Sequence, residues 1–321
     1  MDNPKATLAL YLAPMQGLTD LYFRTVIHRC MPAHTFDMAV SPFISITHGD
    51  LSSARKKIKD VLHTTGSMPV IPQLMGNQPK EFIDLANLLY DCGYSQIDWN
   101  LGCPLPKVAN KHHGSGLLPY PDEVEKILST VVPNIRPRLS IKMRTGYSKA
   151  EYQPLISIFN QYPLAGITIH PRLAIQMYSG TLNYEAANQI AQTSLHPVTY
   201  NGDINTLDDY RKIRNLCPTI SSYMLGRGAI ANPLLAAEIK ANSHLPANTA
   251  KQLYYNYVDM LLTTIQHLPK PDASKVNKTK EYFRYIAHHL SLTAAELTPI
   301  LQCNNLHHLH SIIRNITLAK I

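Results

Sequence analysis

Gln96-Ile97-Asp98-Trp99-Asn100-Leu101-Gly102-Cys103-Pro104 begins as an apolar strand and ends in a sharp loop that carries a thiol. In α/β enzymes the loop just past a strand end is where chemistry sits. Working outward, eight strand-like runs occur in order: Leu8–Ala13, Phe36–Val40, Val70–Leu74, Gln96–Asn100, Leu139–Met143, Gly166–His170, Val198–Tyr200 and Tyr223–Leu225. They are short, mostly apolar, and bounded by Gly, Pro or polar residues. Helical patterns lie between them, as in Lys80–Tyr90, Asp208–Leu216 and the stretch opened by Pro121-Asp122-Glu123. Eight β-α alternations predict an α/β fold, a (β/α)8 TIM barrel, with a doubly wound open sheet as the competitor.

After Ala241 the strands stop. Lys251–His267, Thr279–Leu290, Thr293–Leu301 and Leu306–Leu318 read as four short helices, reached through the polar, proline-bearing link 242–248. The expected organisation is a barrel over 1–241 and a small all-α domain over 242–321. Residues 241–321 hold eight Lys/Arg against four Asp/Glu, so half of the chain's net charge of +8 sits on its last quarter. That bias suits a polyanionic partner. The basic candidates are Lys270, Lys275, Lys278, Lys280 and Arg284, with Tyr282 and Phe283 interleaved; a solvated helix face is the bland alternative.

The 321 residues are 45% hydrophobic, and no apolar run reaches the 18 or more of a membrane span. The N-terminal 1–5 lack a signal peptide's basic start and apolar centre. The five cysteines are scattered without a CxxC pair, which argues for a reducing compartment, against a disulfide framework, and for a cytoplasmic protein. His307, His308 and His310 have no companion cysteine or carboxylate set, so no metal site is expected. No obligate protein partner is evident, and a monomer is the expected state.

Reading only the positions after strands gives a coherent set. It comprises Pro14, Met15 and Gln16; Gln73; Asn100 and Cys103; Lys142 and Arg144; His170 and Arg172; Asn201-Gly202-Asp203; and Gly226-Arg227-Gly228. Glycine-bearing loops after strands 7 and 8 form the usual phosphate site of such barrels, and Arg227 can add a charge-assisted bond. Lys142 faces inward, where a lysine needs an anionic partner. The edge of a reduced flavin supplies one; a lysine reaching the strand rim and solvent is the alternative.

These residues, in this order, resemble the tRNA-dihydrouridine synthases. The resemblance covers nearly the whole chain. It rests on Leu12-Ala13-Pro14-Met15-Gln16-Gly17, Gln73-Leu74-Met75-Gly76, the Asp98–Pro104 box, Lys107-Val108, and Gly114-Ser115-Gly116-Leu117-Leu118. It continues through Lys142-Met143-Arg144-Thr145-Gly146, His170-Pro171-Arg172, Asn201-Gly202-Asp203-Ile204 and Gly226-Arg227-Gly228. It implies FMN held in a barrel, NADPH as reductant, and tRNA held by the helical segment. It also implies reduction of the uridine C5=C6 bond, with hydride from reduced FMN to C6 and a proton from Cys103 to C5.

By this likeness Pro14, Met15, Gln16, Gln73, Lys142, His170, Asn201, Gly202, Asp203, Gly226 and Arg227 are cofactor residues. Asn100 lies beside flavin and uracil, and Asn100, Arg144, Arg172, Lys275, Lys278, Lys280 and Arg284 are expected on the substrate side. Two positions depart from the family pattern: Pro171 follows the strand-6 histidine, and Trp99 stands where a smaller aliphatic is usual. The C-terminal part looks closest to the bacterial C-type branch, which points to position 16 of tRNA. The alternatives are a dihydroorotate or dihydropyrimidine-type dehydrogenase acting on a free pyrimidine, and a tRNA-binding folding aid without redox activity.

Overall fold

The computed structural model describes residues 8–45, 58–62 and 68–321; the segment 1–5 read above lies outside them. Ten strand segments form one sheet, parallel throughout. They are β1 (Ala9–Leu12), β2 (Met38–Val40), β3 (Ile44–Ser45), β4 (Val70–Ile71), β5 (Gln73–Met75), β6 (Gln96–Leu101), β7 (Arg138–Gly146), β8 (Gly166–Leu173), β9 (Val198–Asn201) and β10 (Ser222–Leu225). β1 pairs with β10 on one side and β2 on the other, β2 pairs with β4, β3 with β5, and β5 through β10 follow in sequence.

Because β2 and β3 are pieces of one strand, and β4 and β5 pieces of the next, the ten segments occupy eight positions and the sheet closes into the expected barrel. The two interruptions were not anticipated, and their cause is proline. Pro42 and Pro72 have no N–H to give the ladder. Ser41 bridges the gap, accepting on its hydroxyl from the Gln73 N–H at 3.1 Å while its own N–H donates to the Ile71 carbonyl at 3.0 Å.

β7 and β8 run three residues past the predicted ends, with a register shift between Arg144 and Gly146. Arg144, His170 and Arg172 thus stand on strands, where the pleat sets their direction. Alternation splits the barrel wall. On β6, Trp99 turns outward, 1% exposed, with its indole donating to the Gly76 carbonyl at 3.1 Å and its ring edge-on to Phe82 of α3 (Pro79–Asp91). Trp99 therefore packs behind the strand, and Asp98 and Asn100 face the interior. One side of that interior is apolar, with Ala13, Val40, Ile71 and Met224 packed together.

Other helices used below are α1 (Leu21–Cys30), α4 (Pro106–Ala109), α9 (Arg227–Ala231) and the C-terminal group α11 (Ala247–Gln266), α12 (Asp272–His289), α13 (Ala294–Gln302) and α14 (Leu306–Lys320). Two of these four are long, at 20 and 18 residues, which corrects the expectation of four short ones. α12 starts at Asp272 rather than near Thr279, because the polar turn 272–278 shows almost no apolar period. Tyr282 stacks on Phe23 of α1 at 5.5 Å, and Tyr257 meets the same ring edge-on at 6.4 Å. The hydroxyls of Tyr254 and Tyr257 donate to the Ala231 and Ile230 carbonyls at 2.8 and 2.7 Å. Tyr282 and Phe283 are buried packing residues, not exposed rings between basic ones. Among the described residues no helix is long and apolar enough to cross a membrane, and no cluster suits a metal ion.

Candidate active site

At the C-terminal ends of the strands lies a cavity of ≈ 450 Å³. Its wall includes Pro14, Met15, Gln16, Asn100, Cys103, Lys142, Arg144, His170, Asn201, Gly202, Asp203, Gly226 and Arg227. Residues scattered over more than 200 positions of sequence thus meet in one place.

Cys103 is half-buried. Burial pushes its thiol pKa up, against the Leu105 backbone and the charges of Arg144, Lys107 and Lys142. The thiol is therefore protonated at neutral pH. Its loop is fixed from two sides. Asn100 Oδ1 accepts from the N–H groups of Gly102 and Cys103, at 3.0 and 2.9 Å. The Cys103 carbonyl accepts from the Ser115 N–H at 3.1 Å and hydroxyl at 2.9 Å. The Gly114-Ser115-Gly116 motif is the brace behind the thiol. Gly114 sits at φ +56, and a Cβ on Gly116 would lie 2.1 Å from the Ala109 carbonyl oxygen of α4.

Behind Asn100 runs a chain of side chains. Asn100 Nδ2 donates to Gln73 Oε1 at 2.7 Å, and Gln73 Nε2 donates to Asp98 Oδ2 at 2.8 Å. Ser140 Oγ donates to Asp98 Oδ1 at 2.7 Å. Gln73 is fully buried beneath the cavity and does not line it.

Lys142 pairs in register with Asn100 and is half-buried in the cavity wall. Burial and the neighbouring Arg144 lower its pKa from 10.5 to about 8, against the attraction of Asp98 and Cys103. Among the described residues its ammonium has no ion pair or hydrogen-bond partner. His170 is buried; desolvation, with Arg144, Lys142, Arg172 and Arg227 around it, keeps it neutral. Its Nε2 lies 3.4 Å from Arg172 Nη1, a donor, which assigns the ring proton to Nδ1.

Asp203 is grasped by two guanidiniums. Arg172 Nη1 donates to Oδ1 at 2.9 Å, and Arg227 donates to the same oxygen. Burial alone would raise the Asp203 pKa, but the Arg172 hydrogen bonds and both positive charges hold it below the usual range. Asn201 Nδ2 donates to the Met224 carbonyl at 2.9 Å and ties β9 to β10. A Cβ on Gly228 would lie 2.1 Å from the Ile204 carbonyl oxygen, so α9 closes directly onto the β9 loop.

Several expected substrate residues are engaged elsewhere. Arg144 lines the cavity, but its three donor nitrogens go to the carbonyls of Gly102, Leu173 and Met177, at 3.0, 2.9 and 2.6 Å. Arg172 is buried, held by Asp203 and the Gly180 carbonyl. Lys278 is buried at the seam with the barrel, donating to the Gly17 carbonyl at 2.8 Å and Asp20 Oδ2 at 2.7 Å. Arg172 and Lys278 are thus tied to internal acceptors, and Arg144 braces three carbonyls while it still lines the cavity. Lys275 pairs with Asp272 at 3.2 Å, Lys280 donates to Asn304 at 3.2 Å, and Arg284 is exposed.

Several wall residues escaped the sequence reading, among them Tyr178, Glu281 and Tyr285. Tyr178, 53% exposed, has the guanidiniums of Arg144 and Arg227 at 5.5 and 5.8 Å from its ring centre. Glu281 and Tyr285 bring α12 to the cavity mouth. An aromatic in a loop carries no spacing signal. Glu281 and Tyr285, however, sit one helical turn apart on the face beside the basic run, which could have drawn notice.

The chain is 31% identical over 228 residues to tRNA-dihydrouridine synthase B of Pasteurella multocida, covering 70% of this chain and 67% of that one. It is 33% identical over 249 residues to tRNA-dihydrouridine(16) synthase of Neisseria meningitidis serogroup B, covering 74% and 73%. These relatives match at nearly equal identity, so the comparison does not divide the branches. Among solved structures, morphinone reductase superimposes with a TM-score of 0.46 at 12% identity, over 75% of this chain and 88% of that one. The family model described as Dihydrouridine synthase (Dus) matches residues 11–311, and the chain belongs to that family.

Proposed function

We propose that this enzyme reduces the C5=C6 bond of uridine in tRNA to dihydrouridine, with FMN as its flavin and NADPH as the reductant. The observation that carries the reading is the pairing, in one cavity wall, of a protonated half-buried thiol with a half-buried lysine whose ammonium has no partner among the described residues.

The residues present fit a flavin phosphate. Lys142 would face the electron-rich edge of the ring, and Met15 with Ala13 would pack against it. Gly202, Gly226 and Arg227 would hold the phosphate end, where backbone can approach an anion closely. When bound and reduced, the flavin supplies a hydride for C6.

The chain's own part is proton delivery and placement. Cys103 Sγ gives its proton to C5, a general-acid step suited to a thiol kept protonated by burial. Asn100 orients that thiol, and its second amide hydrogen is available to a uracil carbonyl. Negative charge developing on the pyrimidine is met by the fields of Lys142 and Arg144, which need no reorganisation. Neutral His170 can donate through Nδ1. The target base must leave its stack to enter, which is least costly in a tRNA loop. The reach of α12 to the cavity mouth, through Glu281 and Tyr285, favours a substrate large enough to touch both parts of the molecule.

Cys103→Ala should keep its flavin and still be reduced by NADPH, yet lose dihydrouridine formation in unmodified tRNA by about 100-fold or more. Wild-type turnover in that variant refutes the acid role. Turnover of free uracil or dihydroorotate in place of tRNA supports the dehydrogenase alternative. A purified protein without bound flavin supports the folding aid.

A further inference from the structure

The side-chain chain behind Cys103 has a direction, and one residue sets it. Each amide in it could present either its oxygen or its nitrogen to its neighbour. Asp98 cannot: as a carboxylate it accepts on both oxygens. It is 2% exposed, and burial raises its pKa to about 6, opposed by the Gln73 and Ser140 hydrogen bonds and by Lys142, so it is ionised at neutral pH.

Because Asp98 accepts at 2.8 Å, Gln73 must turn its nitrogen toward it and its oxygen toward Asn100. Asn100 must then turn its nitrogen toward Gln73 and its oxygen toward the N–H groups of Gly102 and Cys103. Reversing Asn100 would set N–H against N–H at the thiol loop, and reversing Gln73 would set oxygen against oxygen at Asp98 and N–H against N–H at Asn100. Strand register makes the relay rigid, since Gln73 pairs with Asp98 across β5 and β6, and Asp98 with Ser140 across β6 and β7.

We infer that Asp98 is a positioning residue for Cys103, fixing the polarity of the Gln73–Asn100 amide relay that holds the thiol loop. The inference rests on the reading of Cys103 as the proton donor, and it deepens that reading.

A reciprocal exchange tests it. Gln73→Glu sets two carboxylates face to face and removes the donor between them. Asp98→Asn removes the acceptor-only end. The double variant restores polarity: the amide introduced at position 98 can donate to the carboxylate introduced at position 73, whose other oxygen accepts from Asn100. Two measurements are made on flavin-loaded protein, namely dihydrouridine formed in unmodified tRNA per bound flavin, and alkylation of Cys103 by iodoacetamide. The alkylation is resolved by peptide mass spectrometry from about pH 6 to about pH 10.

Turnover should fall about 100-fold in Gln73→Glu and about tenfold in Asp98→Asn, as expected when a reacting group is displaced by an ångström or less. It should recover in the double variant to within about tenfold of wild type, a coupling only interacting residues show. The pH midpoint of Cys103 alkylation should move in each single variant and return in the double. A double variant no better than Gln73→Glu overturns the inference, as does either single variant with wild-type turnover and midpoint. If the wild-type protein forms no dihydrouridine, the functional reading has failed. The alkylation midpoints then decide the positioning role alone: a return in the double supports it and no return overturns it.

Discussion

Two lysines of this chain lie wholly or partly out of solvent, and their surroundings differ in kind. Lys278, in the seam between α12 and the barrel, donates to a carboxylate and a carbonyl at 2.7 and 2.8 Å, with the Tyr282 ring centre 5.2 Å away. Lys142, in the cavity wall, has no such partner among the described residues, and its pKa falls to about 8. Removing an ammonium from water is costly in both places. At Lys278 the protein compensates that cost itself. At Lys142 no described residue does, which leaves its ammonium in the open cavity for something that binds. The contrast separates a residue that builds the fold from one that serves the site, although both are basic residues on regular elements.

The sharpest way to break the contrast is to remove the charge at Lys142. Lys142→Met should lower dihydrouridine formation by at least about 100-fold, the scale of losing one preorganised donor at a developing negative charge. Flavin retention should fall with it, while the flavin-free protein should be at least as resistant to urea as wild type, since an uncompensated charge has been removed. Unchanged turnover would place Lys142 with Lys278 as framework.

The pH dependence sharpens the same point. In the flavin-free protein Lys142 titrates near 8, and in the unfolded chain near its ordinary 10.5. Between those values the unfolded chain binds more protons, so this group makes stability rise with pH across that window; below about 8 both states are protonated and its destabilisation is fully present. Urea unfolding of wild type and Lys142→Met should therefore converge as pH rises from about 8 toward about 10.5, all other groups being common to both. Bound flavin should abolish the convergence by giving the ammonium a partner. Parallel curves without flavin would mean that the charge is not held uncompensated.

Lys278→Met tests the other side. It leaves the Asp20 carboxylate and the Gly17 carbonyl without their donor in a largely buried seam, and should cost about 1–3 kcal/mol in urea unfolding. Turnover of the protein that remains folded should change far less than in Lys142→Met. A larger loss of turnover than of stability would show that the seam also controls the cavity.

These two lysines also mark what the sequence made legible. Lys142 was readable because its strand alternates: Leu139, Ile141 and Met143 pack outward, so Ser140 and Lys142 must face in. Asn100 was located by its place at a strand end, and the turn chemistry of the glycine-bearing loops located Asn201–Asp203 and Gly226–Arg227. Lys278 was misread because its partner Asp20 lies 258 residues away, and nothing local distinguishes a lysine on a solvated face from one under a neighbouring loop. Arg144 and Arg172 were readable as strand-end residues, but not as residues whose donors are taken by carbonyls and by Asp203. Asp98 was quoted only as part of a motif, since its importance lies in a relay across three strands. The breaks at Pro42 and Pro72 were visible as prolines but not as interruptions, because a closed barrel tolerates a missing N–H where a hydroxyl such as that of Ser41 can stand in.

The smallest expected effect concerns the basic residues that do remain on the surface. Arg284 is exposed on α12, the helix that brings Glu281 and Tyr285 to the cavity mouth. If it meets a phosphate of tRNA, Arg284→Ala should weaken tRNA binding by about tenfold at most and reduce the slope of log affinity against log salt by about 1, the release of one counterion. Lys278→Met, compared over the same salt series, should leave that slope unchanged, because its ammonium faces Asp20 rather than solvent. Equal slopes in all three proteins would remove Arg284 from the interface. A reduced slope in Lys278→Met would mean that the seam opens when tRNA binds, and that the ion pair exchanges its carboxylate for a phosphate.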